Sequence, residues 1–198
     1  MFLVWWTILA IAPKYRQDWL LENILVFLSV PIIVWTYRSL RFTNVSYTCL
    51  FVFFSLHVLG AHYTYSEVPY DHWMRSATGT TITAIGGFSR NHFDRLVHFS
   101  YGFLMLPVAA EIFEARARPQ GIWRWLMPVL FISSHGAIYE VIEWLAAARF
   151  SPELGQAYVG MQGDIWDAQK DMAMVMVGAA LSMTLLSAWR RRSLRRRA

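Results

Sequence analysis

Apolar residues occur along this chain in long runs that are separated by short polar segments. Five runs have 18 or more residues each, and they cover residues 20–37, 45–62, 96–114, 122–148 and 172–189. About 20 apolar residues are needed for a helix to cross a bilayer, and a helix satisfies all of its backbone hydrogen bonds within the segment. The pattern therefore predicts five membrane-spanning helices.

A sixth apolar run, residues 1–12, is shorter and ends at Pro13 and Lys14. As a helix it covers only about 18 Å of a hydrocarbon core roughly 30 Å thick. We expect it to span marginally, to tilt, or to pack against the other helices. The predicted fold is all-α, a polytopic transmembrane helix bundle of about six helices. Residues 1–189 form one transmembrane domain in this prediction, and residues 190–198 form a basic cytoplasmic tail.

The composition supports the membrane prediction, since 56% of the 198 residues are hydrophobic and only 16% are charged. That balance leaves too little polar surface for a soluble or disordered protein. Cys49 is the single cysteine, so an intrachain disulfide is excluded. The net charge of +5 does not indicate nucleic-acid binding, because six of the 18 basic residues lie in the last nine positions.

The basic residues also predict an orientation. With the arginine-rich C-terminus in the cytoplasm, eleven of the 18 basic residues lie in inner loops or in the tail. This bias agrees with the positive-inside rule. This orientation places the C-terminus in the cytoplasm and outer loops at residues 13–19, 63–93 and 149–163. The glycine- and threonine-rich composition of the long loop is typical of a flexible or partly re-entrant segment.

Ionisable residues within or beside spans are costly, from about 2.5 kcal/mol upward at the bilayer centre, so each needs a partner or a function. Four polar clusters stand out, at residues 57–67, 91–98, 135–143 and 164–171. On the predicted topology all four face the outer side. The predicted orientation rests on the distribution of basic residues in the loops and the tail. The presence of all four polar clusters on one side is therefore an independent indication of a site.

Helical spacing places several of these side chains on common faces. Asp94 and His98 are four residues apart, and Glu140 and Glu143 are three apart. The acidic residues of the last helix recur at intervals of three and four, at Asp164, Asp167 and Asp171. Unpaired carboxylates in a poorly solvated place repel one another. A divalent cation, the bases Arg75, Arg95 and Lys170, or protonation would each neutralise them.

Carboxylates and imidazoles from facing helices are the usual way in which helix bundles hold metals. We therefore predict a divalent metal ion, with Zn, Mn or Fe compatible and Mg or Ca favoured if the imidazoles are not ligands. The candidate ligands are His62, His92, Asp94, His98, Asp164, Asp167 and Asp171.

Structural explanations compete with this prediction for some of the residues. His57 and His135 are more simply explained as hydrogen-bond partners between helices. Asp94 and Arg95 would also suit an interfacial charge pair.

The motifs at these positions resemble the YjdF family of bacterial inner-membrane proteins over nearly the whole chain. They read GAHYTYSEVP at residues 60–69, SRNHFDRLVHF at 89–99, YEVIEW at 139–144 and QGDIWDAQKDM at 162–172. The resemblance implies a membrane protein in which these positions matter, and it names no reaction. The second half is more distantly similar to VanZ-like proteins, although Glu143 stands where that group carries an amide.

The leading functional hypothesis is a metal-dependent hydrolase or transferase that acts at the outer face on a lipid-linked or amphiphilic substrate. Glu140 or Glu143 would be the general base, and Arg95 would bind an anionic head group. His62 and His92 would be further ligands or proton donors from the outer loop. Two alternatives remain: an ion- or proton-coupled transporter, and a structural membrane partner without catalysis.

Overall fold

A computed structural model describes residues 1–149 and 163–195, and the regular secondary structure within these ranges is α-helical. The helices are α1 (Phe2–Ala10), α2 (Arg16–Glu22), α3 (Ile24–Thr36), α4 (Asn44–Tyr63), α5 (Tyr70–Thr78), α6 (Ile82–Gly86), α7 (Phe93–Arg116), α8 (Trp123–Arg149) and α9 (Asp167–Arg195). The predicted outer loop 149–163, apart from its two end residues, lies outside the described residues. So do residues 196–198 of the predicted tail.

Five segments among the described residues are long and apolar enough to cross a membrane. They are Arg16–Thr36, Asn44–Tyr63, Phe93–Arg116, Trp123–Arg149 and Asp167–Arg190. Each contains one of the apolar runs of the sequence or nearly all of it. The prediction of an all-α polytopic bundle is confirmed.

The first apolar run forms a helix that does not reach across a bilayer. At nine residues, α1 is about 14 Å long, roughly half the thickness of the hydrocarbon core. It packs against α4, where the rings of Phe2 and Phe54 lie 5.9 Å apart and Trp5 Nε1 donates a hydrogen bond to the Ser55 carbonyl at 3.4 Å. Of the three arrangements expected for this run, packing against the bundle is the one observed.

A break at Asn23 divides the first span into α2 and α3. Asn23 is completely buried, its Nδ2 donates to the Trp19 carbonyl at 2.7 Å, and Trp6 Nε1 donates to its Oδ1 at 2.6 Å. Because these bonds satisfy the side-chain amide, Asn23 can be buried in an apolar environment. The last residue of α2, Glu22, is thereby held inside the bundle, where it is 5% exposed.

The centre of the bundle is α7, which packs against α4, α8 and α9. Its contact with α9 is the most extensive, and glycines on both helices allow it. A Cβ atom at Gly102 would overlap the carbonyl oxygen of Val175, and one at Gly178 would overlap the carbonyl oxygen of Phe99. The two backbones therefore touch, as small residues permit at helix crossings in membranes.

The long loop between α4 and α7 contains two short helices, α5 and α6, although its composition suggests a flexible or re-entrant segment. Asp71 in α5 accepts hydrogen bonds from the backbone N–H of Thr83 at 3.0 Å and from the Thr83 hydroxyl. These bonds hold the pKa of Asp71 below its usual value. The loop is tied to the start of α7 by Asn91, whose Nδ2 donates to the Val68 carbonyl at 2.9 Å.

We expect Gly178→Ala to destabilise the protein by about 1–3 kcal/mol, the usual cost of overpacking a tight contact. The added methyl group meets backbone rather than a flexible side chain, so α7 and α9 must move apart. The free energy of unfolding in mixed detergent micelles measures the effect. Leu181→Ala on the exposed side of the same helix (Leu181 is 45% exposed) is the control, and equal losses in the two variants would contradict the close contact.

Candidate functional site

The polar clusters of the sequence meet at one end of the bundle. Helices α7 and α9 begin there and α8 ends there, because α7 and α9 run in the opposite direction to α8. Glu22 reaches the same end from α2, where its Oε2 accepts a hydrogen bond from the Tyr139 hydroxyl of α8 at 2.9 Å. We call this the polar end of the bundle. Its acidic side chains divide into two sets with different partners.

The first set is an ion-pair layer made of Asp164, Asp167, Arg90, Arg95 and Lys170. Arg95 Nη2 lies 2.6 Å from Asp164 Oδ2 and 3.1 Å from Asp167 Oδ1, while Lys170 Nζ lies 2.6 Å from Asp164 Oδ2. Arg90 also pairs with Asp167. Hydrogen bonds from Lys170 and Arg95 hold the pKa of Asp164 well below its usual value. These two carboxylates are therefore neutralised by bases of the chain.

The second set is Asp94, His98 and Asp171, and we call it the Asp–His group. Asp171 lies one turn beyond Asp167 on α9, and His98 lies about one turn beyond Arg95 on α7. One ligand atom from each residue can be chosen so that all three lie within 4.8 Å of one another. His98 Nε2 lies 3.4 Å from Asp94 Oδ1, and His98 and Asp171 are 7% and 2% exposed. The i, i+4 spacing of Asp94 and His98 on α7 places both on the face that meets α9.

Further carboxylates surround the Asp–His group without matching cations. Glu140 Oε1 lies 3.5 Å from His98 Nε2. The buried atoms Glu140 Oε1 and Asp171 Oδ1 have no hydrogen-bond partner among the residues that the structure describes. Glu143 is 7% exposed and interacts electrostatically with Asp94, Glu140 and Glu22. Of the bases, Arg95 comes within salt-bridge range of the Asp–His group, with Nε 3.9 Å from Asp171 Oδ1. Acidic groups are thus in excess there.

Two predicted ligands, His62 and His92, lie outside both the ion-pair layer and the Asp–His group. His62 Nδ1 is hydrogen-bonded to the Leu9 carbonyl at 2.9 Å, on the side of α4 that faces α1. The ring of His92 stacks on Phe88 with centroids 4.4 Å apart, and burial, with the charges of Arg95 and Arg90, lowers its pKa. Their predicted roles as ligands or proton donors stay predictions.

The histidines with competing structural explanations do make hydrogen bonds between segments. His57 Nδ1 is bonded to the Tyr65 hydroxyl at 2.5 Å, and its Nε2 to the Glu22 carbonyl at 3.1 Å. His135 Nδ1 is bonded to the Tyr101 hydroxyl at 3.0 Å, which joins α8 to α7. Both fit the expectation that such histidines connect helices.

Three residues of the polar end are not among the predicted ligands or catalytic residues: Glu22, Tyr139 and Arg90. Glu22 carries a usable signal, because it is a carboxylate within the apolar run 20–37 and such residues need a partner. Arg90 lies in a loop, where an arginine is unremarkable. Its pairing with Asp167 depends on how the loop folds back, which local spacing does not show.

The ion-pair layer can be tested by a double-mutant cycle. We expect Arg95→Gln to destabilise the protein, because Asp167 is 3% exposed and loses one of its two guanidinium partners. Adding Asp167→Asn should recover part of the loss, with a coupling energy of about 1–3 kcal/mol. Unfolding in mixed micelles measures all four proteins, and strictly additive effects would contradict the pairing.

The family described as "Predicted membrane protein (DUF2238)" matches residues 1–192. The chain is 34% identical over 193 residues to "Inner membrane protein YjdF" of Escherichia coli (strain K12), a match that covers 94% of this chain and 85% of that protein. No solved structure matches the chain. The resemblance to the YjdF family is confirmed, and the similarity to VanZ-like proteins stays a prediction. The chain belongs to the DUF2238 family of membrane proteins.

Proposed function

We propose that this membrane protein binds a divalent cation at Asp94, His98 and Asp171 and uses it to hydrolyse or transfer a group of a lipid-linked or amphiphilic substrate. The observation that carries the proposal is the pair of buried carboxylate oxygens, Glu140 Oε1 and Asp171 Oδ1, that have no hydrogen-bond partner among the described residues. An unpartnered charged oxygen in a buried place is costly. A cation offers such oxygens a partner.

The distances in the Asp–His group suit a metal. Two ligands about 2.1 Å from a tetrahedral ion lie about 3.4 Å apart. His98 Nε2 lies 3.4 Å from Asp94 Oδ1, and one ligand atom each from Asp94, His98 and Asp171 can be chosen within 4.8 Å of the other two. One imidazole with several carboxylates suits Zn²⁺, Mn²⁺ or Fe²⁺, whereas Mg²⁺ and Ca²⁺ use oxygen ligands.

Charge supports the same proposal. Five carboxylates lie near the single imidazole of His98, and they belong to Asp94, Asp171, Glu140, Glu143 and Glu22. The bases Arg90 and Lys170 instead pair with Asp167 and Asp164, respectively. The ion-pair layer needs no metal, so Asp164 and Asp167 are weaker candidates for ligands than Asp171. Arg95 belongs to that layer, and its Nε lies 3.9 Å from Asp171 Oδ1. In this proposal Arg95 positions Asp171.

A bound cation of this kind supplies a water of lowered pKa and polarises a substrate oxygen. Glu140 is the better candidate for the general base, because its Oε1 is beside His98 and has no hydrogen-bond partner among the described residues. Glu143 lies one turn further along α8 and adds negative charge behind Glu140. The burial of both limits access of bulk water to the site.

We further propose that the polar end faces the periplasm and that the C-terminus is cytoplasmic in the inner membrane. At the opposite end of the bundle, two arginines pair with Glu114. Arg124 Nε lies 2.6 Å and Arg190 Nη1 lies 2.9 Å from Glu114 Oε1. These arginines fit the positive-inside rule, which places such residues at the cytoplasmic surface.

The metal content of purified protein tests the proposal. We expect about one equivalent of a transition metal after extensive dialysis, and less than a tenth of an equivalent in Asp171→Asn and in His98→Gln. Each variant loses one of the three ligands. Elemental analysis of the same samples that are used for thermal unfolding measures both content and folding. Glu67→Gln is the control, since that carboxylate is half-exposed and pairs with Lys14.

Metal removal provides a second readout that a misfolded variant cannot imitate. In excess chelator we expect Asp171→Asn to unfold at a higher temperature than the wild type, because the substitution removes one of several buried carboxylate charges that repel one another. With metal at 100 times its Kd, the wild type should gain about 2.7 kcal/mol and the variant little. A wild-type protein that carries no metal and gains no stability from Zn²⁺ or Mn²⁺ would overturn the proposal.

A further inference from the structure

A cavity of about 240 Å³ lies beside the Asp–His group, between α3, α4, α7 and α8. Asp94, Val97 and His98 form part of its wall, and Phe53 and Tyr101 line it further along the bundle. The cavity therefore begins at the candidate metal ligands and continues along the membrane-spanning part of the helices. A ligand whose polar group binds at the Asp–His group would therefore place its remaining, apolar part in this cavity.

Most polar atoms on the cavity wall are already paired with one another. The His57 and Tyr65 side chains share a hydrogen bond, as do those of Tyr101 and His135. The Tyr139 hydroxyl donates to Glu22. Away from Asp94 and His98, the cavity thus presents mainly ring carbon and aliphatic groups. An apolar occupant fits such a surface, because a polar one would lose its hydrogen bonds with water without replacement.

The cavity reaches the outer surface of α8. Ile138 and Ile142 line it and are also 55% and 51% exposed. They lie one helical turn apart, so together they border an opening on one face of α8. Both belong to the span Trp123–Arg149, and the medium outside this face is the bilayer. A molecule can therefore enter the cavity sideways from the lipid phase.

We propose that this cavity holds the hydrocarbon chain of an amphiphile whose anionic head group sits at the Asp–His group. The inference rests on the proposed metal site, since the cation is what would draw an anionic head to these carboxylates. A cavity of about 150 Å³ accommodates benzene, so by proportion this one holds about nine or ten carbon atoms. A longer chain extends between Ile138 and Ile142 into the bilayer.

Photolabelling of the metal-loaded protein in lipid nanodiscs tests the inference. The probe is a dodecyl phosphate with a diazirine on its terminal carbons, and peptide mass spectrometry locates the label. We expect labelling at Phe53, Val97 or Tyr101. Ile142→Trp should reduce it at least fivefold, because the larger side chain fills the opening. Ile138→Trp serves as a second variant at the same opening, so the result does not depend on one substitution.

The matched control is Val141→Trp, one residue away on the same helix, 52% exposed and outside the cavity. It should leave the labelling unchanged. Label confined to lipid-facing residues, or equal labelling of Ile142→Trp and wild type, would overturn the inference. Metal content is measured on the same samples. Metal without label in the cavity contradicts the chain site alone, and label without metal contradicts the proposed metal site alone.

Discussion

The close contact between α7 and α9 positions everything at the polar end of the bundle. Without side chains at Gly102 and Gly178, the backbones touch and the two helices lie in one register. That register sets Arg95 against Asp164 and Asp167, and one turn further along it sets His98 against Asp171. A shift of either helix would separate these groups, and Asp167, His98 and Asp171 are too deeply buried to be solvated by water instead. The ion-pair layer and the Asp–His group therefore depend on the same packing contact.

The two sets of acidic side chains differ in how far their charges are paired with bases of the chain. In the ion-pair layer, guanidinium and ammonium groups of the chain lie within hydrogen-bond distance of the carboxylates. In and around the Asp–His group the acids outnumber the bases, and one oxygen each of Asp171 and the neighbouring Glu140 is left without a hydrogen bond among the described residues. An arrangement built only to lock helices together would pair its buried charges, because each unpaired one opposes folding. The excess of acidic over basic side chains is what distinguishes this candidate site from a purely structural ion-pair network.

The spans and several residue groupings could be predicted from local patterns. Run length identified the five spans, and helical spacing grouped Asp94 with His98, because both depend only on the geometry of a single helix. His62 and Arg95 show the limit of this reasoning. Each is predicted to contact a metal or a substrate, yet His62 bonds to Leu9 of α1, and Arg95 pairs with Asp164 and with Asp167 of α9. Glu22 was missed as a site residue because its partner, Tyr139, is 117 positions away in the chain.

By itself the sequence determined the membrane class, the helix bundle and the concentration of acids at one end, since hydrophobic length and helical periodicity are properties of each segment alone. Tertiary structure decided which acids are neutralised by arginine and lysine and which are not. It also decided that α1 packs against α4 and that a cavity adjoins Asp94 and His98. These outcomes depend on distances between helices, and such distances follow from how close two backbones can approach, which no single segment specifies.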